Sequence, residues 1–264
     1  MAGTTAATSL TANRWSIGRV YHPMRVHVGC SGWFYWHWRG LFYPADEPTH
    51  RWFKHYQSAF RTVELNAPFY RWPRESTVKG WRRTAKGRFR YSVKVNGQIT
   101  HERRMVRTKK LIGEFYKIAD VLGPKLGCFL FQFPPSYRYT PARLRAIVAQ
   151  LDRRHRNAVE FRHKSWWRPT VYRAFEKAGL VFCSVSGPRL PEELVKTSEV
   201  LYVRFHGRPR WYRHDYSRAE LQAWADKINA SGAAEAWIYF NNDREGFALK
   251  NAKTLKRLLR QRRS

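Results

Sequence analysis

The sequence is poor in cysteine and has no long apolar segment. Its three cysteines are far apart and none stands in a C-x-x-C pair, which argues against a disulfide framework and against a structural zinc site. No apolar run reaches the ~18 residues that a membrane span needs, and residues 1–23 lack the apolar core of a secretory signal. This pattern predicts a cytoplasmic protein without a membrane partner.

Common cofactor motifs are also missing. The chain contains no Walker loop, no G-x-G-x-x-G fingerprint and no H-E-x-x-H sequence. These absences argue against the function classes that depend on those motifs, and they leave the cofactor unknown.

Acidic residues are scarce, since 19 Asp and Glu stand against 50 Lys and Arg, for a net charge of +31. An excess of this size favours a polyanionic partner, either nucleic acid or a phosphorylated small molecule. The alternative is a coding bias toward arginine, spread evenly over a solvated surface. Composition leaves both interpretations open and does not indicate an oligomeric state.

What the chain does contain is a regular alternation of short apolar segments with helix-like ones. The strand candidates are residues 25–29, 62–66, 89–95, 127–132, 157–161, 180–184, 200–205 and 236–240. Strands that alternate with helices indicate parallel βαβ units, and eight of them predict a TIM-like (β/α)8 barrel. We predict a single barrel domain over residues 25–264, a flexible tail over residues 1–24, and a reduced helix before the seventh strand.

Local signals support two of the intervening helices. Thr140 precedes Pro141, which is typical of an N-cap followed by proline at the first helical position. Ser217 stands three residues before Glu220, the spacing of a capping box.

Several strands carry polar residues in one phase of their alternation. In a barrel the apolar phase faces the helices and the other phase faces the lumen. The polar phase is predicted to contain His27, Ser31, Glu64, Asn66, Lys94, Asn96, Glu160, Arg162, Arg204, His206, Tyr239 and Asn241, joined by Gln132 and Ser184. These residues cluster near the C-terminal strand ends, which predicts a polar mouth at the face where barrel enzymes place their chemistry.

Four charged residues of this phase are candidate catalytic groups. Glu64 and Glu160 lie on separate strands and suit general acid/base chemistry if their environments separate their pKa values. Lys94 and Arg204 could stabilise a developing negative charge. The alternative is that Glu64–Lys94 and Glu160–Arg204 are core ion pairs, although such pairs contribute little to stability.

Aromatic and basic loops follow the strands. Residues 30–44 and 67–73 are rich in aromatics that form either a stacking platform or a hydrophobic lid. Residues 97–110 and 206–218 are basic, and arginine suits phosphate recognition. The predicted substrate-binding residues from strands and loops are Ser31, Trp33, Tyr35, Asn66, Tyr70, His101, Gln132, Arg162, His206, Tyr239 and Asn241.

A metal site could be drawn from Glu64, Glu160, His206 and Asp243. However, Lys94 and the arginines among these carboxylates would compete with a cation. We therefore predict that the mouth holds no metal.

Seven segments in order resemble the YecE-like family, the domain of unknown function DUF72, over nearly all of residues 25–252. They are VGCSGWFYWHWRGLFYP, TVELNAPFYRWP, FRYSVKVNGQITHERR, FLFQFPPSY, AVEFRHKSWW, YVRFHG and YFNNDREGFALKNA. The resemblance implies a TIM-barrel-like fold and adds Asn242 to the predicted substrate-binding residues. It implies no particular reaction.

Three functions are open at this point. The favoured one is an enzyme that acts on a phosphorylated or nucleic-acid substrate by acid/base chemistry at the barrel mouth. The alternatives are a non-catalytic nucleic-acid-binding protein and a sugar isomerase or epimerase that acts on a neutral polyol.

Overall fold

The computed structural model describes residues 23–261. The predicted flexible tail lies outside the described residues except for Pro23 and Met24. No helix among residues 23–261 is both long and apolar enough to cross a membrane.

Eight parallel strands form one sheet in which each predicted strand is confirmed within two residues at either end. The strands are β1 Arg25–Cys30, β2 Thr62–Leu65, β3 Arg90–Lys94, β4 Leu126–Gln132, β5 Asn157–Glu160, β6 Val181–Ser186, β7 Val200–Phe205 and β8 Glu235–Phe240. Their order is β1-β8-β7-β6-β5-β4-β3-β2, so that consecutive strands are neighbours. The predicted TIM-like (β/α)8 architecture is confirmed.

Helices connect the strands as the sequence pattern predicts. They are α1 Trp52–Ala59, α2 Ala67–Tyr70, α3 Glu75–Thr84, α4 Lys109–Leu122, α5 Pro141–Gln150, α6 Pro169–Ala178, α7 Arg218–Ala230 and α8 Phe247–Gln261. Single 3-10 turns occur at Trp36–Trp38, Thr49–Arg51, Gly123–Lys125, Lys164–Trp166 and Arg244–Gly246, and a π-helical turn at Gln98–Glu102. Residues 187–199, between β6 and β7, contain no helix, in agreement with the short spacer there.

Both predicted helix starts are confirmed. Thr140 Oγ1 accepts a hydrogen bond from the Arg143 amide at 3.2 Å. Ser217 and Glu220 form a capping box, in which each side chain accepts the other residue's backbone N–H. These bonds satisfy amide groups that have no partner within the helix.

Apolar side chains fill both sides of the sheet. The outer layer, between strands and helices, includes Val63, Leu65, Val203 and Ile238, as the alternation predicts. A second cluster fills the lower lumen, where its largest members are Tyr202, Trp237 and Tyr239. The polar residues of the mouth lie above this plug. His27, which the alternation also assigns to the lumen, is not among them: it stacks on Trp237 and lies 3.0 Å from Glu235, the first residue of β8.

Ser184 corrects one of the lumen assignments. Its Oγ accepts a hydrogen bond from the Val195 amide at 2.8 Å, while its neighbours Cys183 and Val185 belong to the lumen cluster. Ser184 therefore occupies the outer phase of β6 and holds the segment that returns to β7. Ser186 lies in the same phase and bonds Tyr216 Oη at 2.8 Å, so the polar residues of β6 face outward and not into the lumen.

The sheet is not hydrogen-bonded between β1 and β2, which are its two ends. A buried tyrosine from α1 bridges this seam: Tyr56 Oη accepts from the Cys30 amide at 2.9 Å and donates to the Thr62 carbonyl at 3.0 Å. Close approach also requires Gly29, because a Cβ there would lie 2.2 Å from the Thr62 carbonyl oxygen. The barrel is closed at this point by a side chain.

We expect Tyr56→Phe to lower the free energy of unfolding by about 1–3 kcal/mol, because it leaves two buried backbone groups unpaired. Urea unfolding of the variant and of Tyr70→Phe, whose side chain is exposed at the rim, measures the effect. Equal stability of the two variants would contradict the role of Tyr56 in the seam.

Candidate functional site at the barrel mouth

The centre of the mouth is a buried guanidinium that binds two carboxylates. Arg204 Nη2 lies 2.6 Å from Glu64 Oε1, and Nη1 lies 2.5 Å from Glu160 Oε2. Arg204 is 1% exposed and both glutamates are fully buried. Buried charges are tolerated when they are paired and hydrogen-bonded, and β7 places this arginine between the ends of β2 and β5.

The Glu64 carboxylate accepts hydrogen bonds from three side chains, the first of which is Arg204. Its Oε1 also accepts from Ser31 Oγ at 2.8 Å, and its Oε2 accepts from Tyr202 Oη at 2.7 Å. The Glu64–Lys94 pair considered from the sequence is wrong, because Glu64 is bound by Arg204 and no ion pair of Lys94 is found among residues 23–261. The guanidinium fork reaches two carboxylates at once, which a single ammonium cannot do.

Glu160 has a second set of partners. Its Oε1 accepts from Arg162 Nε and lies 3.1 Å from His206 Nε2. Burial opposes ionisation of Glu160, but Arg162 and Arg204 overcome this and hold its pKa well below the ordinary value. Glu160 is therefore a carboxylate at any physiological pH.

His206 is neutral. Burial, followed by the charge of Arg162, lowers its pKa to about 3. With the proton on Nε2, the ring donates to Glu160, while Nδ1 lies 3.3 Å from Asn241 Nδ2 and can accept from it. This tautomer satisfies both contacts.

Lys94 differs from the other charged residues because its ammonium has no hydrogen bond or ion pair among residues 23–261. Its Nζ lies 3.8 Å from the centroid of the Phe69 ring. Burial, and then the positive charge of Arg204, lower the pKa of Lys94 to about 7. A half-protonated amine thus faces the mouth at neutral pH.

These groups form the floor of a cavity of about 1220 Å³. Nine predicted residues line it: Tyr35, Asn66, Tyr70, Lys94, His101, Gln132, Arg162, Arg204 and Asn241. Ser31, Glu64, Glu160 and His206 are bonded to these lining residues or to one another. The structure therefore brings most of the predicted residues together.

Three predicted residues lie elsewhere. Trp33 packs against Phe53, 4.8 Å between ring centroids, in the outer core. Tyr239 belongs to the lower lumen, where its hydroxyl contacts Thr62 Oγ1 at 2.6 Å. Asn242 is buried and donates to the His214 carbonyl and to Asn251 Oδ1, 2.7 Å each. None of the three lines the cavity.

Sequence reasoning missed part of the rim. Besides Asp243, which the sequence suggests only as a metal ligand, five further residues line the cavity: Pro135, Trp211, Tyr212, Arg213 and Arg244. Trp211, Tyr212 and Arg213 come from residues 206–218. The basic composition of that segment was the sequence feature that pointed to this part of the rim. Trp211 carries Arg162 on its face, 4.4 Å from guanidinium carbon to ring centroid.

Among residues 23–261, Asp243 is the one acidic residue that lines the cavity. It accepts from Trp38 Nε1 at 2.9 Å and lies 3.0 Å from His37 Nε2. Burial raises its pKa to about 6, although His37 and Trp38 act in the opposite direction.

The donor set does not fit a metal ion. Among residues 23–261 no group of three His, Cys, Asp or Glu side chains is placed to hold one. Glu64 and Glu160 are each bound by a guanidinium, which occupies the position that a cation would need.

Comparison of the sequence with known proteins finds relatives that match most or about half of this chain. The family model described as "Protein of unknown function DUF72" matches residues 27–264. UPF0759 protein YunF of Bacillus subtilis is 28% identical over an alignment that covers 89% of this chain and 94% of YunF. UPF0759 protein YecE of Escherichia coli K12 is 26% identical over 144 residues, 54% of this chain and 50% of YecE.

Solved structures agree with the fold. The crystal structure of a DUF72 family protein from Thermotoga maritima aligns with a TM-score of 0.81 at 27% identity, and covers 89% of this chain and 99% of that one. A DUF72 family protein from Enterococcus faecalis aligns with a TM-score of 0.76 at 20% identity, over 89% and 95% of the two chains. Because the family model spans nearly the whole sequence, this chain belongs to the DUF72 family.

Proposed function

We propose that this protein is an enzyme that binds a phosphorylated substrate in the barrel mouth and acts on it by acid/base chemistry. The observation that carries the proposal is the charge of the cavity, which has five cationic lining residues and one acidic one. The two other carboxylates of the mouth are already bound by Arg204 and Arg162. Together with Asp243, these carboxylates leave the mouth with two positive charges in excess, which a phosphate group would balance.

Arg162 is the best-placed anion-binding group. Its Nε is bound to Glu160, its planar group stacks on Trp211, and the residue lines the cavity. Contacts on two sides preorganise the guanidinium, which lowers the entropy cost of binding a phosphate. In addition, Asn66 Oδ1 and Arg204 Nε have no hydrogen-bond partner among the described residues, and a bound ligand or water would supply one.

Proton transfer is assigned to Lys94 and Asp243, which both line the cavity. Their pKa values of about 7 and about 6 lie close to neutrality, where acid/base groups are most effective. Glu64 and Glu160, the acid/base candidates from sequence, instead hold the two arginines in place in this proposal.

We expect the wild-type protein to bind pyrophosphate, and Arg162→Met to weaken binding about 10-fold or more, because a charge-assisted hydrogen bond contributes about 1.5–3 kcal/mol. Glu160 keeps Arg204 and His206 as partners in this variant, so the fold is expected to persist. Isothermal titration calorimetry measures the affinity. Arg145→Met, on the exposed side of α5, is the matched control and should bind like wild type.

Two results would favour the other functions. Salt-sensitive binding of oligonucleotides that Arg162→Met leaves unchanged would favour a nucleic-acid-binding surface outside the mouth. Binding of neutral sugars without binding of pyrophosphate would favour a sugar isomerase or epimerase and overturn the proposal.

A further inference from the structure

We propose that Lys94 forms a Schiff base with its substrate, and that the substrate is a phosphorylated aldehyde or ketone. This inference rests on the proposed function and names the substrate class of the same site. It gives Lys94 a covalent role beside the phosphate-binding role of Arg162.

The geometry isolates one amine in a cationic cavity. Every other cationic side chain of the lining is an arginine, and a guanidinium is not nucleophilic because it stays protonated. Lys94 is therefore the single lysine amine that faces the ligand. Among residues 23–261 no acceptor binds its protons and no donor binds its lone pair, which leaves the amine free to attack.

The state of the amine fits this role. An ordinary lysine is deprotonated in about one molecule in 2,500 at pH 7, whereas the pKa of about 7 leaves Lys94 roughly half neutral. Burial and a neighbouring cation are the two conditions that activate lysine nucleophiles in proteins. Both act here, through the enclosed position of Lys94 and the charge of Arg204.

Phe69 favours a covalent role over a simple proton relay. Its ring face lies 3.8 Å from Lys94 Nζ, and an aromatic face attracts a cation without accepting its proton. The same face can stabilise the cationic iminium that a Schiff base forms. A phosphate on Arg162 would offset this new positive charge and orient the carbonyl carbon toward Nζ.

The step balances without an oxidant or reductant. The neutral Nζ adds its lone pair to the carbonyl carbon, and the carbonyl oxygen takes a proton to give a carbinolamine. The nitrogen then loses one proton, the hydroxyl takes a second proton from solvent, and water leaves as the C=N bond forms. The sum is one amine, one carbonyl compound and one proton giving one iminium and one water.

Reductive trapping tests the proposal. The full chain is incubated at pH 7 with glyceraldehyde 3-phosphate and cyanoborohydride, and the adduct is located by peptide mass spectrometry. We expect labelling of Lys94 at least about 100-fold faster than labelling of the exposed Lys79, because of its larger neutral fraction. The rate should rise through about pH 7, and glyceraldehyde without phosphate should react about 10-fold more slowly.

Variants separate this inference from the proposed function. Lys94→Arg should abolish the specific adduct, and Lys79→Arg should leave both the adduct and pyrophosphate binding unchanged. If wild type binds pyrophosphate but Lys94 is labelled no faster than Lys79, the Schiff base is overturned while the phosphate site stands. If the unphosphorylated aldehyde labels Lys94 equally fast, the substrate class is overturned. Absence of pyrophosphate binding would overturn both proposals.

Discussion

Arg204→Met is expected to lower the free energy of unfolding by about 3–5 kcal/mol at neutral pH, since removal of one partner of a buried ion pair leaves an uncompensated charge. Glu64 would keep only neutral donors, from Ser31 and Tyr202. Glu160 would keep Arg162 and His206. Most of the loss should therefore come from Glu64, and urea unfolding at pH 7 measures it.

A second substitution checks this origin. Arg204→Met/Glu64→Gln removes the stranded charge and should recover part of the stability, so the two changes should be non-additive. The deficit should also shrink as the pH falls. In wild type the depressed pKa of Glu160 contributes stability that is present above the ordinary carboxyl pKa and is lost in acid. The variant lacks Arg204, so it has less of this stability to lose. A deficit below about 1 kcal/mol at pH 7 would contradict this account.

Lys94→Met is expected to have the opposite effect and to stabilise the protein by about 2–4 kcal/mol at pH 7. The wild-type fold holds an amine whose pKa is about 7, against about 10.4 in the unfolded chain, and each pKa unit corresponds to about 1.4 kcal/mol. Water in the open mouth reduces the full value. Methionine retains the length of the side chain without the cost of burying its charge.

The pH dependence of this difference has a definite sign. Between about pH 7 and the unfolded value near 10.4, the unfolded state binds more protons, so wild-type stability rises with pH through this group. The advantage of Lys94→Met should be largest at or below pH 7 and should fade toward pH 10. Lys79→Met, at an exposed lysine paired with Glu75, should change stability by less than about 0.5 kcal/mol. A variant that is less stable than wild type at pH 7 would contradict the prediction.

The fold could be predicted because the sequence features that mark its strands and helices lie within short segments of the chain. Period-two alternation marks each strand of the polar mouth, as in residues 62–66, and two helices carry their own caps. β6 shows the same alternation in Ser184 and Ser186, but these residues face outward and bond Val195 and Tyr216, which are distant in sequence. The error at Ser184 arose because alternation alone does not say which phase faces the lumen.

The site could be predicted as a set of residues but not as a set of contacts. Alternation places Glu64, Glu160, Lys94 and Arg204 on the lumen side without saying which cation reaches which anion. The reach of the Arg204 fork and the position of Phe69 under Lys94 decide that question. The rim residues Trp211 and Tyr212 depend on an irregular loop, whose path a residue pattern does not specify.

The shared guanidinium restricts how this protein can evolve. One cation on β7 neutralises carboxylates from two other strands, so a change at position 204 harms two partners at once, and either glutamate changed alone leaves the arginine short of one anion. Stepwise divergence at these three positions must pass through destabilised intermediates. Loop positions such as Trp211 and Arg213 are free of this constraint. We therefore expect relatives to acquire new specificities through changes at the rim, while Arg204, Glu64 and Glu160 are kept together.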